Sequence, residues 1–269
     1  MKKLKLAIAT AAALCSLQAS ADEFKINRLF VVGDSLSDGG AYTGTATQGL
    51  LGAGVPAGAI PNRMMFTTNS PNAKIWASVV AEKLGIPLDV DVINGVSNTI
   101  NGGNYAQGGS RVSNPIGVSN NPAIGITTIP VTEQIDRLLA DTPTFNRNDL
   151  VALWAGSNDG FIQFATVAVG AITPQVALAE MSTAATQLLA QIDRLKAAGA
   201  QNIVVITVPN LGVTPQAQII EDGSVSGTPA PGSIALLTAL SDSFNNTLTS
   251  AAASKGAVIV DSNKLLSAV

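Results

Sequence analysis

Four short runs of consecutive apolar residues punctuate the chain. Leu29-Phe30-Val31-Val32 is closed by Gly33, Val151-Ala152-Leu153-Trp154-Ala155 by Gly156, and Ile203-Val204-Val205-Ile206-Thr207-Val208 by Pro209; Ala257-Val258-Ile259-Val260 is the fourth. Runs that are apolar at every position, and not at every second one, predict strands buried on both faces of a parallel sheet. Helical spacing fills the intervals. Residues 72–84 carry Ile75, Val79, Val80 and Leu84 on one side, with Gly85 as the stop, and residues 132–140 do the same with Ile135, Leu138 and Leu139. The longest helix is predicted over 174–198, with Thr173 as N-cap, Pro174 at the first position and Gly199 as terminator. The last is predicted over 233–254.

Strand and helix in alternation predict an α/β domain: a flavodoxin-like three-layer, doubly wound sandwich with a mostly parallel sheet of about five strands. Two segments break the alternation. Residues 43–62 are rich in Gly, Ala and Thr, and residues 94–128 in Gly, Asn, Ser and Pro. Loops this long in a compact domain are functional or floppy; residues 43–60 either line a ligand pocket or form plain surface. Residues 221–232 are a third, shorter polar insertion.

The amino-terminal stretch belongs to a different class. Lys2, Lys3 and Lys5 precede an apolar run over 6–17 and then Ala19-Ser20-Ala21, the charge, apolar core and small-x-small site of a secretory signal. The run is too short to span a bilayer. The expected domains are therefore a signal peptide over 1–21 and a folded domain over 22–269, exported to the periplasm, cell surface or medium. Cys15, the only cysteine, lies in the leader, so no disulfide framework is expected beyond it. Hydrophobic residues make up 46% and charged residues 12%, which excludes disorder. Losing the three leader lysines moves the net charge from −3 to about −6, and no basic cluster of nucleic-acid type follows.

The chemistry concentrates at strand ends. Gly33-Asp34-Ser35-Leu36-Ser37-Asp38 follows the first strand, where open α/β sheets place their ligands. Ser35 is expected to open the next helix and to gain from its positive end. Asn104-Tyr105-Ala106-Gln107-Gly108-Gly109-Ser110-Arg111 lies in the second long loop, and Gly156-Ser157-Asn158-Asp159-Gly160 follows the strand at Val151. Each alone reads as ordinary turn chemistry. Together they offer a nucleophile and uncharged N–H donors for an oxyanion, the needs of acyl transfer.

These three blocks resemble the first, second and third blocks of the GDSL, or SGNH, esterases and lipases, in the family's order. The resemblance runs from about residue 27 to 269, and the wording of the blocks is most similar to the bacterial secreted and autotransporter-linked esterases. It implies Ser35 as nucleophile, with its own N–H serving the oxyanion hole. It further implies Gly109 as a backbone donor (Gly108 being the alternative), Asn158 as the amide donor, and Asp34 and Asp159 as loop-holding residues. The implied activity is hydrolysis of a small-molecule or lipid carboxylic ester through an acyl-serine, with no metal and no cofactor.

One family element has no counterpart. The resemblance implies an Asp-x-x-His block whose histidine deprotonates the serine, and this sequence contains no histidine. Asp261 reads as a strand-end residue. Lys25, Lys74, Lys83, Lys196, Lys255 and Lys264 show no spacing that brings one to Ser35. The expectation is a domain lacking its C-terminal Asp-x-x-His block and inactive as it stands, with any outer-membrane association made through a missing C-terminal part. A secreted non-catalytic ligand binder and a passenger of an outer-membrane transporter are the alternatives.

Overall fold

The computed structural model describes residues 25–44, 53–54, 56, 74–92, 99, 102–118, 128–224 and 227–266. The expected leader over 1–21, most of the loop over 43–62, and residues 94–98, 100–101 and 119–127 of the second loop lie outside the described residues.

Six strands form one parallel sheet: β1 (Arg28–Gly33), β2 (Asp89–Val90), β3 (Gly103–Asn104), β4 (Asp149–Trp154), β5 (Asn202–Ile206) and β6 (Ala257–Val260), in the spatial order β2-β3-β1-β4-β5-β6. The four apolar runs are β1, β4, β5 and β6. The count exceeds the expected five because β2 and β3, two residues each, join the β1 side of the sheet. Among the described residues seven helices accompany it: α1 (Trp76–Leu84), α2 (Val131–Asp141), α3 (Ser157–Ala168), α4 (Pro174–Ala197), α5 (Pro215–Asp222), α6 (Ser233–Ala252) and α7 (Ser262–Leu266). The ends of α4 follow the sequence signals. Thr173 caps it by accepting the Val176 N–H at 3.3 Å, and Gly199 behind it takes a left-handed φ of 93°.

Successive residues of a strand face opposite sides, and the core divides accordingly. Phe30, Val32, Val151, Leu153, Ile203 and Val205 point to the face covered by α2, α4 and α6, where Ile135, Leu138, Met181, Leu188, Ile192, Leu237 and Phe244 are fully buried. Leu29, Val31 and Ala152 point to the other face and meet Ala77 and Ala81 of α1. Toward the β6 edge that second face is open, and Val258 is 62% exposed. At the amino end of the sheet Arg28 grips Asp149 with two bonds, Nε to Oδ1 at 2.8 Å and Nη2 to Oδ2 at 2.6 Å, fixing β1 against β4. Bidentate pairing of this kind adds geometric specificity to charge attraction.

Candidate active site

β3, β1 and β4 are adjacent and parallel, so their carboxyl ends share one edge of the sheet. The three sequence blocks leave that edge side by side. Backbone bonds stitch them as they leave: the Asp34 N–H donates to Trp154 O at 3.2 Å, and the Gln107 N–H to Gly33 O at 3.2 Å.

Ser35 is half-buried on a tight turn over residues 35–37. The expected helix does not begin there. Asp34 takes the Leu36 N–H on Oδ1 at 3.0 Å and the Ser37 N–H on its carbonyl at 3.0 Å, closing the turn. Asp38 then takes the N–H groups of Gly40 and Ala41 on Oδ1, both at 2.8 Å. Among the described residues neither the Ser35 N–H nor its hydroxyl has a hydrogen-bond partner.

The second block presents its glycines unequally. The Gly108 N–H is spent on Asp38 Oδ2 at 2.8 Å. The Gly109 N–H has no acceptor among the described residues. Gly109 sits at φ 87°, where a Cβ would lie 2.2 Å from Val118 O, so no other residue fits there without displacing backbone. Asn158, in the first turn of α3, donates one Nδ2 proton to Ser110 O at 2.8 Å; a primary amide has two. Asp159 receives Arg111 Nε on Oδ1 at 3.0 Å and the Val112 N–H on Oδ2 at 2.9 Å. Sequence reasoning gave no role to Asp38, which ties the serine turn to the glycine block, nor to Gln134. The readable signal for Gln134 is a carboxamide on the apolar stripe of α2, between Val131 and Leu138.

The electrostatics of the edge follow from burial. Removal from water pushes the Asp34 carboxyl up to about 7; the Leu36 N–H works against this and the charge of Asp159 adds to it. Asp34 Oδ2 is buried with no partner among the described residues. Burial also raises Asp38 and Asp159, against the N–H groups that Asp38 accepts and against Arg111 beside Asp159. An unfolded Asp34 ionises near its ordinary 3.8, so between about pH 4 and 7 the folded state keeps a proton the unfolded state has lost. Asp34's contribution to stability therefore falls with rising pH across that window, by on the order of 4 kcal/mol in all. Asp34→Asn keeps an oxygen for the Leu36 N–H and never ionises. Urea midpoints at pH 4 and 8 are expected to show the variant near native at pH 4 and more stable at pH 8. An equal difference at both values would remove Asp34 as the source.

The remaining candidates lie elsewhere. Asp261 caps α7, accepting the N–H groups of Asn263 at 3.0 Å and Lys264 at 3.3 Å. Lys74, Lys255 and Lys264 pair with Glu82, Asp193 and Asp261, and Lys196 donates to Gln201 O at 3.1 Å. A cavity of about 310 Å³ between α3, α5 and α6 is lined by Phe164, Val167, Ile220, Pro231 and Leu236. Val167 is nine residues, or two and a half turns, beyond Asn158 and so faces away from it. Among the described residues no group of three or more His, Cys, Asp or Glu could hold a metal ion, and no helix is long and apolar enough to cross a membrane.

The sequence pattern described as GDSL-like lipase/acylhydrolase matches residues 29–261. The chain belongs to that family. The parallel α/β sheet is consistent with that family's fold. The chain is also similar to Lipase 1 of Photorhabdus luminescens, 26% identical over 202 residues, which is 75% of this chain and 25% of that protein. It thus spans about a quarter of the length of that relative.

Proposed function

We propose that this chain is the nucleophile- and oxyanion-bearing domain of an exported carboxylic-ester hydrolase that works through an acyl-serine intermediate. The observation that carries the reading is the delivery of Ser35, the Gly109 N–H and the Asn158 amide to one sheet edge by three adjacent strands. In the proposed reaction Ser35 Oγ attacks the ester carbonyl and loses its proton. The carbonyl oxygen takes the negative charge and is met by the N–H groups of Ser35 and Gly109 and the second proton of Asn158 Nδ2. Collapse expels the alcohol, protonated as it leaves, and water then attacks the acyl-serine to release the acid and restore Ser35. Donors fixed in advance where the charge develops contribute most in such reactions. With no histidine among the 269 residues, the proton acceptor is proposed to come from outside them. Lipid esters are the substrate class suggested by the similarity to Lipase 1, and export by cleavage after Ala21 is proposed from the leader.

The protein expressed from its native locus, treated with a fluorophosphonate, is expected to gain one adduct, on the peptide holding Ser35, and to lose esterase activity in step. The total absence of histidine favours a second reading, a non-catalytic ester binder. That protein would show no adduct at Ser35 and no product.

A further inference from the structure

Gln134 of α2 is fully buried, and its carboxamide makes four hydrogen bonds at the carboxyl edge, the longest from Nε2 to Ile129 O at 3.5 Å. Oε1 accepts the Gly33 N–H at 2.8 Å, while Nε2 donates to Gly33 O at 2.9 Å and to Ser110 Oγ at 2.9 Å. Gly33 lies two residues before Ser35, and Ser110 is the residue whose carbonyl holds Asn158 Nδ2. β3 ends at Asn104, which pairs with Val31, so the Gly33 N–H lies beyond the reach of that ladder. A buried backbone N–H must find an acceptor, and Gln134 Oε1 supplies it, while the amide nitrogen of the same group adds a second donor to Gly33 O beside the Gln107 N–H and still reaches Ser110. A carboxylate lacks the donors, asparagine is one methylene short, and methionine or leucine offers neither group. One side chain thus connects the turn carrying the proposed nucleophile to the loop that holds the proposed oxyanion amide.

We propose that Gln134 is a positioning residue for ester hydrolysis, setting the separation between Ser35 and the Asn158 amide through Gly33 and Ser110. The inference rests on the reading of Ser35 and Asn158 given above. Errors of about 1 Å between reacting groups cost up to about 10²-fold in rate, so the effect belongs in kcat and leaves substrate binding alone.

The test uses the protein expressed from its native locus, with kcat normalised to molecules that react with the fluorophosphonate. Gln134→Met is expected to lower kcat about 10- to 10²-fold with KM within about twofold. Leu138→Ala on the same helix, a buried apolar truncation, is expected to lower the melting temperature and leave normalised kcat unchanged. If Gln134→Met behaves like Leu138→Ala, the residue is merely structural and the inference is overturned. Should Gln134→Met not fold, Ser110→Ala carries the test, since it removes the hydroxyl that Gln134 grips and keeps the carbonyl that holds Asn158. A fall in its normalised kcat supports the proposal and an unchanged value overturns it. Ser35→Ala separates the two readings. Turnover that survives Ser35→Ala defeats the site assignment itself, whereas turnover abolished by Ser35→Ala but indifferent to Gln134 defeats only the positioning role.

Discussion

On its own, the 269-residue chain is expected to turn over an activated ester such as a p-nitrophenyl ester only weakly, and to be accelerated by added imidazole in a Ser35-dependent way. A neutral hydroxyl is a poor nucleophile that must shed its proton during attack. Positioned acid–base assistance is worth about 10²- to 10⁴-fold, and a triad stripped of one member retains about 10³- to 10⁴-fold over water from binding and the oxyanion hole. The described lysines that have partners are engaged with Glu82, Asp193, Asp261 and Gln201 O, none of them in the blocks around Ser35. Free imidazole restores the missing type of base without the entropic advantage of a tethered one. The measurement is initial rate against imidazole concentration for the native chain, with Ser35→Ala subtracted to remove hydrolysis by imidazole itself. Fast Ser35-dependent turnover without imidazole would mean that a base resides within these residues, and the proposal of an external one would fall.

Arg111→Met is expected to destabilise the fold by roughly 3–5 kcal/mol near pH 8, because it strands Asp159 as an uncompensated buried charge. The pair is 11% and 5% exposed and 3.0 Å apart, so solvent does little to screen the loss. The sign of the pH dependence follows from burial, which raises the Asp159 carboxyl, and from Arg111, which at present opposes that rise. Without Arg111 the carboxyl ionises at higher pH still. Acid lets it fold neutral, so the penalty should shrink as pH falls. Urea denaturation of native and variant chains at pH 5 and 8 reads both effects. A loss below about 1 kcal/mol at pH 8, typical of an exposed pair, would show that water reaches Asp159 freely.

What could be read from sequence was what repeats along it. β1, β4, β5 and β6 are continuous apolar runs, and α2, α4 and α6 carry the helical period, with cap and stop residues bounding α4. β2 and β3 have no period to read, being two residues each, and Gly103-Asn104 joins the sheet only because β1 lies beside it. α3 was hidden by its own opening. Gly156-Ser157-Asn158-Asp159-Gly160 is turn chemistry in isolation, yet it starts a helix because the glycines admit close packing. A Cβ on Gly156 would sit 2.6 Å from the Phe244 ring, and one on Gly160 2.7 Å from Leu211 Cδ1. The three chemical blocks were legible as residue types at strand ends. Their mutual bracing by Asp38 and Gln134 was not, because it joins residues up to 101 positions apart.

β1 is the first of the described strands along the chain, yet its pairing is complete only when the distant β4 has followed. Its neighbours on either side are β3 and β4, and its register to β4 joins Arg28 to Asp149 across 121 residues of chain. Closing so long a loop demands entropy before any contact rewards it, and folds dominated by distant pairings assemble slowly. The Ser35 turn therefore lacks its β4 neighbour until more than half of the chain has left its source. Until then Leu29, Phe30, Val31 and Val32 travel as an apolar strand with at least one edge unpaired, the kind of segment that a holding chaperone captures. The strand that leads into Ser35 thus depends for its folding on being kept from the wrong partner.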